Sequence, residues 1–284
     1  MGVRGVIFDV DGTIVRGEQP LEGTDAGLEA VESAGLDRLF VSNNPTKPPE
    51  AYEDRLASAG ITVDADEIIT AGTVTARYLT EQHAKSEIAV VGESGLVDLL
   101  RDAGLSVLPY GSSADTVAGR TDGGEAATPP GLDPDVLVAS VDRRFDYETL
   151  RECLWLLEDP DVTFVGTDPD VVIPAAEGDI PGSGAVIDAI ANVAGRDPTT
   201  VLGKPSKPAR RMALERLGLP PEDVLVVGDR PDTDIAFGNR AGMATALVRT
   251  GVSVETGRSS PDEEPDFVLD SLAGLEEVLA TLSE

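Results

Sequence analysis

The sequence predicts an α/β protein with mainly parallel, doubly wound sheets, and two observations carry that expectation. Short apolar runs recur along the chain: "GVIF", "RLFVS", "IAVVG", "DVLVAS", "VTFVG", "VLVVGD" and "ATALV". Amphipathic stretches such as "EAYEDRLASAG" and "PARRMALERLGL" lie between them, which is the alternation of strands and helices that builds parallel sheets. The second observation is that polar groups of related chemistry follow directly on several of these runs. In a doubly wound sheet, function gathers in the crevice beyond the carboxyl ends of the strands.

The first run opens the chain in "RGVIFDVDGTIVRG". Val6, Ile7 and Phe8 read as a core strand and Gly12-Thr13 as a turn, so Asp9 and Asp11 sit where a buried strand ends. Side chains two apart on extended backbone point to the same side. Two carboxylates brought that close raise each other's pKa, and a cation between them relieves the repulsion. The second run, "LFVSNN", ends in Ser42 and Asn43; "VLGKPSK" ends in Lys204; "VLVVGDRPDTDI" ends in Asp229, Asp232 and Asp234. Carboxylates, a hydroxyl and a cation together suit a phosphoryl group and Mg²⁺, since hard divalent ions take oxygen ligands and phosphate needs donors and positive charge. Each signal alone has a plainer reading: Asp and Gly are common in turns, Ser42 suits a helix cap and Lys204 a solvated loop. All four at strand ends do not. Asp232 reads as a turn residue, His83 as a solvated group on a polar helix end, and Trp155 as core of the "CLWLLE" helix.

Composition narrows the class. The 284 residues, 41% of them hydrophobic, can bury a substantial core. The single cysteine, Cys153, excludes an internal disulfide, suits a reducing compartment and reads as a packing thiol. With one Cys and one His, no metal site of that kind can form. No run reaches transmembrane length, and "MGVRGV" has Val6 where a myristoylation signal carries Ser or Thr, so the expectation is a soluble, cytoplasmic protein. A net charge of -30, from 52 acidic against 22 basic residues, repels nucleic acid and anionic lipid. Only four residues are Lys (Lys47, Lys85, Lys204, Lys207), and dispersed acidity with little Lys resembles proteins of extreme halophiles, where concentrated salt screens self-repulsion. The Gly/Pro-rich stretch from about Gly111 to Asp135 reads as a long acidic loop, and a second loop begins at Glu255.

In their order along the chain, "DVDGT", "VSNN", "GKP" and "GDRPDTDI" resemble the four motifs of haloacid dehalogenase (HAD) superfamily phosphatases. "SNNPTKP", "SVDRRFDYETL", "GTDPDVVIPAAEGDIPGSGA" and "TDIAFGNRAGMATALVRTG" extend the likeness to the class IIA branch of p-nitrophenylphosphatase and NagD-like sugar phosphatases, over nearly the full length. The resemblance implies a Rossmann-like HAD core with an inserted α/β cap of the C2 type: core over 1–80 and 181–284, cap over 81–180. It implies Asp9 as a nucleophile that becomes an aspartyl phosphate, and Asp11 as the acid and base, with its carbonyl also on the metal. Asp9 and Asp229 then hold Mg²⁺ with Asp234 behind them, while Ser42, the Asn43 amide and Lys204 hold phosphate oxygens.

Substrate choice falls by the same resemblance to the cap, where the chain offers Asp142, Arg143 and Arg144 in "VDRRF" and Asp168 and Asp170 in "GTDPD". Asp168 stands where the branch has Asn, exchanging an amide for an acceptor-only carboxylate. The expected activity is Mg²⁺-dependent hydrolysis of a small phosphorylated metabolite such as a sugar phosphate, phosphoglycolate, glycerol phosphate or nucleotide, with the cap closing over the site. A homodimer through the cap is compatible with the resemblance. The rival is a non-catalytic binding or regulatory module that keeps the fold; such a chain is expected to lose the nucleophile or acid, and Asp9, Asp11, Lys204 and Asp229 are all present.

Overall fold

The computed structural model describes residues 2–108, 133–173, 178–250 and 260–283. The loop expected from Gly111 falls outside the described residues except at its end, as does the start of the one from Glu255. Along the first third run β1 (Gly5–Asp9), β2 (Val15–Arg16), β3 (Gln19–Pro20), α1 (Thr24–Ser33), β4 (Asp37–Ser42), α2 (Pro49–Ser58), β5 (Ile68–Thr70) and α3 (Ala71–Gln82). There follow β6 (Glu87–Val91), α4 (Ser94–Asp102), β7 (Ser106–Leu108), β8 (Val136–Ala139), α5 (Tyr147–Leu156), β9 (Thr163–Gly166), β10 (Val172–Ile173), β11 (Ile180–Pro181) and α6 (Ser183–Ala194). The chain finishes with β12 (Thr200–Val201), α7 (Lys207–Leu217), β13 (Val224–Gly228), α8 (Ala236–Asn239), β14 (Ala244–Val248), β15 (Phe267–Leu269) and α9 (Leu275–Leu282).

Two compact units result. The first takes Met1–Ser42, Pro49–Thr70 and Lys204–Glu284. Its six-stranded sheet has the order β15-β14-β13-β1-β4-β5 and every pairing is parallel. β1 lies at the point where the strand order reverses, paired to β4 on one edge and to β13 on the other. Its residues are buried throughout, as a strand covered on both faces requires. Val6 and Phe8 face one core layer with Phe40, Tyr52, Leu225 and Val227, and the Phe8 and Phe40 rings stack at 5.7 Å. The expected "PARRMALERLGL" helix is α7, and its limits follow from local chemistry. Ser206 accepts from the Ala209 amide, Pro208 occupies the first turn, and Gly218 closes the helix in the left-handed conformation.

The second unit takes Asn43–Pro48 and Ala71–Gly203. Its five-stranded sheet, β12-β9-β8-β6-β7, is also parallel throughout. This compact unit extends beyond the expected cap, 81–180, at both ends. The helix α3 packs on α4, and α6 packs on α5, β8 and β9, where Val186, Ile187 and Ile190 join Ala89, Leu137, Cys153 and Phe164 in one apolar layer. The apolar faces of α3 and α6 thus belong to this unit although the motif-based limits leave them in the core.

Trp155 is a correction to the expected core. It is 49% exposed, because α5 turns Thr149 and Cys153 inward and leaves Trp155 on the solvent side under the Arg151 guanidinium, 4.7 Å from the ring centroid. Cys153 is fully buried, as expected of a packing thiol, and burial pushes its thiol pKa up. His83 is half-buried, beside the Tyr78 ring. Among the described residues no helix is long and apolar enough to cross a membrane.

Candidate active site

Three strand ends of the first unit and the segment before α7 carry the expected core residues. Asp9 is the last residue of β1, Ser42 the last of β4, Asp229 follows β13, and Lys204 precedes α7. Lys204 Nζ lies 2.5 Å from Asp9 Oδ1 and 2.8 Å from Asp234 Oδ1. The lysine is 2% exposed and Asp229 and Asp234 are 3% and 1% exposed, so this is a buried charge cluster. Burial lowers the lysine's proton affinity, but Asp234 and Asp9 more than offset that and raise it, so Lys204 is a fixed cation. Asp9 is pushed well above the usual carboxylate range by burial; Lys204 opposes this, while Asp234 and Asp229 add to it.

The four side chains divide into a support and an open face. Asp234 Oδ2 accepts from the Asp229 and Arg230 amides at 3.1 and 3.0 Å, while its Oδ1 holds Lys204. It therefore stands behind the site and orients the lysine and the loop after β13. A π-helical turn, Pro231–Ile235, carries it back against the strand end. The bare backbone of Gly228 makes room, since a Cβ there would lie 2.3 Å from the Asp234 Cβ. Gly12 does the same at the other strand: its φ is +106° and an added Cβ would lie 2.5 Å from Asp229 Oδ2. Asp232, read as a turn residue, pairs with Arg230 on the outside of this turn.

On the open face, Asp9 Oδ2 is buried with no hydrogen-bond partner among the described residues. A buried carboxylate oxygen left so is costly. Asp9, Asp229 and Asp234 offer oxygens all within 4.8 Å of one another. Three carboxylates against one ammonium leave two net negative charges, which is the deficit a divalent cation removes, and the all-oxygen donor set suits Mg²⁺. The residues fit the expected metal.

Asp11 is held differently. Its side chain is 50% exposed, and Oδ1 accepts from Arg55 at 2.5 Å while Oδ2 lies 3.4 Å from the Tyr52 hydroxyl. Ser42 Oγ and Tyr52 Oη are 2.8 Å apart. Tyr52 and Arg55, which motif reading missed, are thus neighbours of Asp11. Both sit on α2, where the pattern is that of any amphipathic helix, and neither follows a strand end.

The remaining expected site residues lie in the second unit. Asn43, its first residue, donates to Asp170 Oδ1 at 3.4 Å. Asp142 is buried and accepts from the Arg144 amide, whereas the Arg143 side chain is exposed and its amide donates to Glu93. Asp168 is 1% exposed. Thr167 Oγ1 donates to its Oδ2 at 3.0 Å and the Asp170 amide to its Oδ1 at 3.3 Å. Burial, then Asp170, raise its pKa to about 7, against the bonds from Ser183 and Thr167. The Asp168 carboxylate in "GTDPD" is thus turned inward, to donors of its own unit.

Comparison with known proteins shows which family the chain resembles. The model of the haloacid dehalogenase-like hydrolases matches residues 6–106, and a second, HAD-hydrolase-like model matches 201–275. An acid sugar phosphatase of Staphylococcus aureus is 31% identical over 281 residues, which cover 99% of this chain and 98% of that protein. The structure of p-nitrophenyl phosphatase from Archaeoglobus fulgidus superposes with a TM-score of 0.81 at 33% identity, covering 98% of this chain and 100% of the other. NagD from E. coli gives a TM-score of 0.78 at 26% identity, covering 96% and 98%. The buried aspartate at the end of β1, its lysine from the segment before α7 and the acidic turn after β13 lie within the matched residues, and the chain belongs to the haloacid dehalogenase-like hydrolases, as a phosphatase-type enzyme of the class IIA, NagD-like branch.

Proposed function

We propose that the protein is a Mg²⁺-dependent phosphomonoester hydrolase that works through an aspartyl phosphate on Asp9. The observation that carries the reading is the division of labour at Asp9: Oδ1 is fixed by Lys204, and Oδ2 is buried without a partner among the described residues. Asp9 and Asp229, with the Asp11 carbonyl and with Asp234 behind them, are the residues to hold the metal. Mg²⁺ bound there supplies positive charge that offsets the repulsion between the nucleophile and the phosphate dianion.

The steps themselves belong to the protein's side chains. Asp9 attacks phosphorus and the bond from phosphorus to the substrate oxygen breaks, with Asp11 giving its proton to that oxygen. A water then attacks the aspartyl phosphate, Asp11 takes a proton from it, and cleavage of the phosphorus bond to Asp9 frees inorganic phosphate. Lys204 and Ser42 hold the phosphate oxygens throughout, the lysine also offsetting the charge of Asp9.

For the substrate, the names of the relatives support a small sugar phosphate. We assign its selection to the second unit, through Asp142, Arg143 and Asp170, with Asp168 acting by shaping the loop that carries Asp170. The lone buried thiol supports a reducing, cytoplasmic setting. The test is hydrolysis of p-nitrophenyl phosphate with and without Mg²⁺ by the native chain and by Asp9→Asn, followed by a panel of sugar phosphates. Mg²⁺-dependent turnover lost in the variant is the expected result. Turnover that survives Asp9→Asn overturns the covalent route.

A further inference from the structure

The helix α2 presents Tyr52 and Arg55 three residues apart, hence on one face. Tyr52 is fully buried and its hydroxyl lies between Ser42 Oγ at 2.8 Å and Asp11 Oδ2 at 3.4 Å. The Arg55 guanidinium, over the Tyr52 ring at 5.5 Å, is only 14% exposed. It donates to the Gly17 carbonyl from Nε at 2.8 Å and from Nη2 at 2.5 Å, and from Nη2 to Asp11 Oδ1 at 2.5 Å. Gly17 forms the turn between β2 and β3, and the same segment is tied from its other side. Arg16 donates to the Thr250 carbonyl, and Thr250 Oγ1 to that of Gly12. One guanidinium, clamped by the hairpin and stacked on a buried ring, therefore fixes where the Asp11 carboxylate can be.

Resting on the phosphatase reading above, we propose that Arg55 is the positioning residue for the acid and base Asp11: it anchors Oδ1, so that Oδ2 is the oxygen that passes the proton to and from the reacting oxygens. Proton transfer requires the donor within hydrogen-bond reach of the leaving oxygen, and a half-exposed aspartate on a loop loses that reach once its anchor is gone.

The experiment compares kcat/KM, which reports the steps up to release of the alcohol, on p-nitrophenyl phosphate and phenyl phosphate. The two esters differ little in shape but strongly in how much their leaving oxygen needs a proton. Arg55→Met is expected to lose activity on both, with the loss on phenyl phosphate larger by about tenfold or more. Arg55→Lys, which keeps the charge but cannot fork to Gly17 and Asp11, falls between native and Arg55→Met in that ratio, and it carries the test if Arg55→Met does not fold. Equal losses on the two esters, or a larger loss on p-nitrophenyl phosphate, overturn the positioning role while leaving the phosphatase reading intact. A native protein that hydrolyses neither ester, or an Asp9→Asn variant that hydrolyses both, overturns the reading itself and the proposal with it.

Discussion

Lys204 Nζ and Asp9 Oδ1 lie 2.5 Å apart although 195 positions separate them in the chain. The lysine also holds Asp234, so one buried cation ties three segments of the first unit: the end of β1, the segment before α7 and the turn after β13. Removing one partner of a buried pair leaves its counter-charges in a medium that solvates them poorly. Lys204→Met is therefore expected to destabilise the unit by about 3–5 kcal/mol in urea unfolding, and to reduce turnover by about 10²-fold or more. A variant as stable as the native protein would show that the carboxylates do not depend on the lysine.

The net charge left by three carboxylates and one lysine makes metal binding a stability effect as well as a catalytic one. A cation that binds only the folded chain stabilises it by mass action, by about 2.7 kcal/mol at a hundred times the dissociation constant. Melting in excess EDTA and in rising Mg²⁺ is expected to show an upward shift that saturates. Asp229→Asn, which removes one of the clustered charges, is expected to shrink the shift. Identical melting curves with chelator and with Mg²⁺ rule out an ion at this cluster.

Asp9, Ser42 and Asp229 were legible because each ends or follows an apolar run that forms a buried strand, and a charged or hydrogen-bonding group there needs a use; Lys204 follows only the short, half-buried β12 and was legible as a rare lysine within a motif. Asp234 was legible only as a neighbour of Asp229; its role as the lysine's support depends on a π-helical turn that no residue pattern announces. Tyr52 and Arg55 were not legible. A tyrosine and an arginine on an amphipathic helix read as core and surface, and only the fold brings them to Asp11. That the second unit reaches beyond 81–180 was not legible for a similar reason, since an apolar helix face does not say which sheet it covers. Trp155 shows the same ambiguity within one helix: "CLWLLE" is apolar nearly all round, and the partners of Cys153 decide which side goes inward.

The excess of 52 acidic over 22 basic residues makes stability depend on salt. At low ionic strength the screening length spans much of the molecule, and like charges on the folded surface repel one another more than in the expanded chain. The melting temperature is expected to rise steadily from 0.01 M through molar KCl, steps that shorten the screening length from about 30 to about 3 Å. A flat or falling profile over that range would show that the acidic surface carries no net repulsion, and would remove the physical ground for a halophilic reading.

Asp168 supplies a pH dependence of the opposite sign to that of most native carboxylates. Its folded pKa is raised from the ordinary 3.8 to about 7, mainly by burial, with Asp170 next in effect. Between those two values the folded chain keeps a proton that the unfolded chain has lost, so stability falls as pH rises. The contribution is fully present below about pH 4 and lost by about pH 7, a change on the order of 4 kcal/mol over the window if it acts alone. Other groups titrate in this range, so the measurement is a difference: urea unfolding of native and Asp168→Asn chains at several pH values. The amide cannot ionise, and its stability relative to the native chain is expected to improve steadily from pH 4 to pH 7. A constant difference across that range would show that Asp168 is already ionised in the folded protein, with a cationic partner or water that relieves its burial.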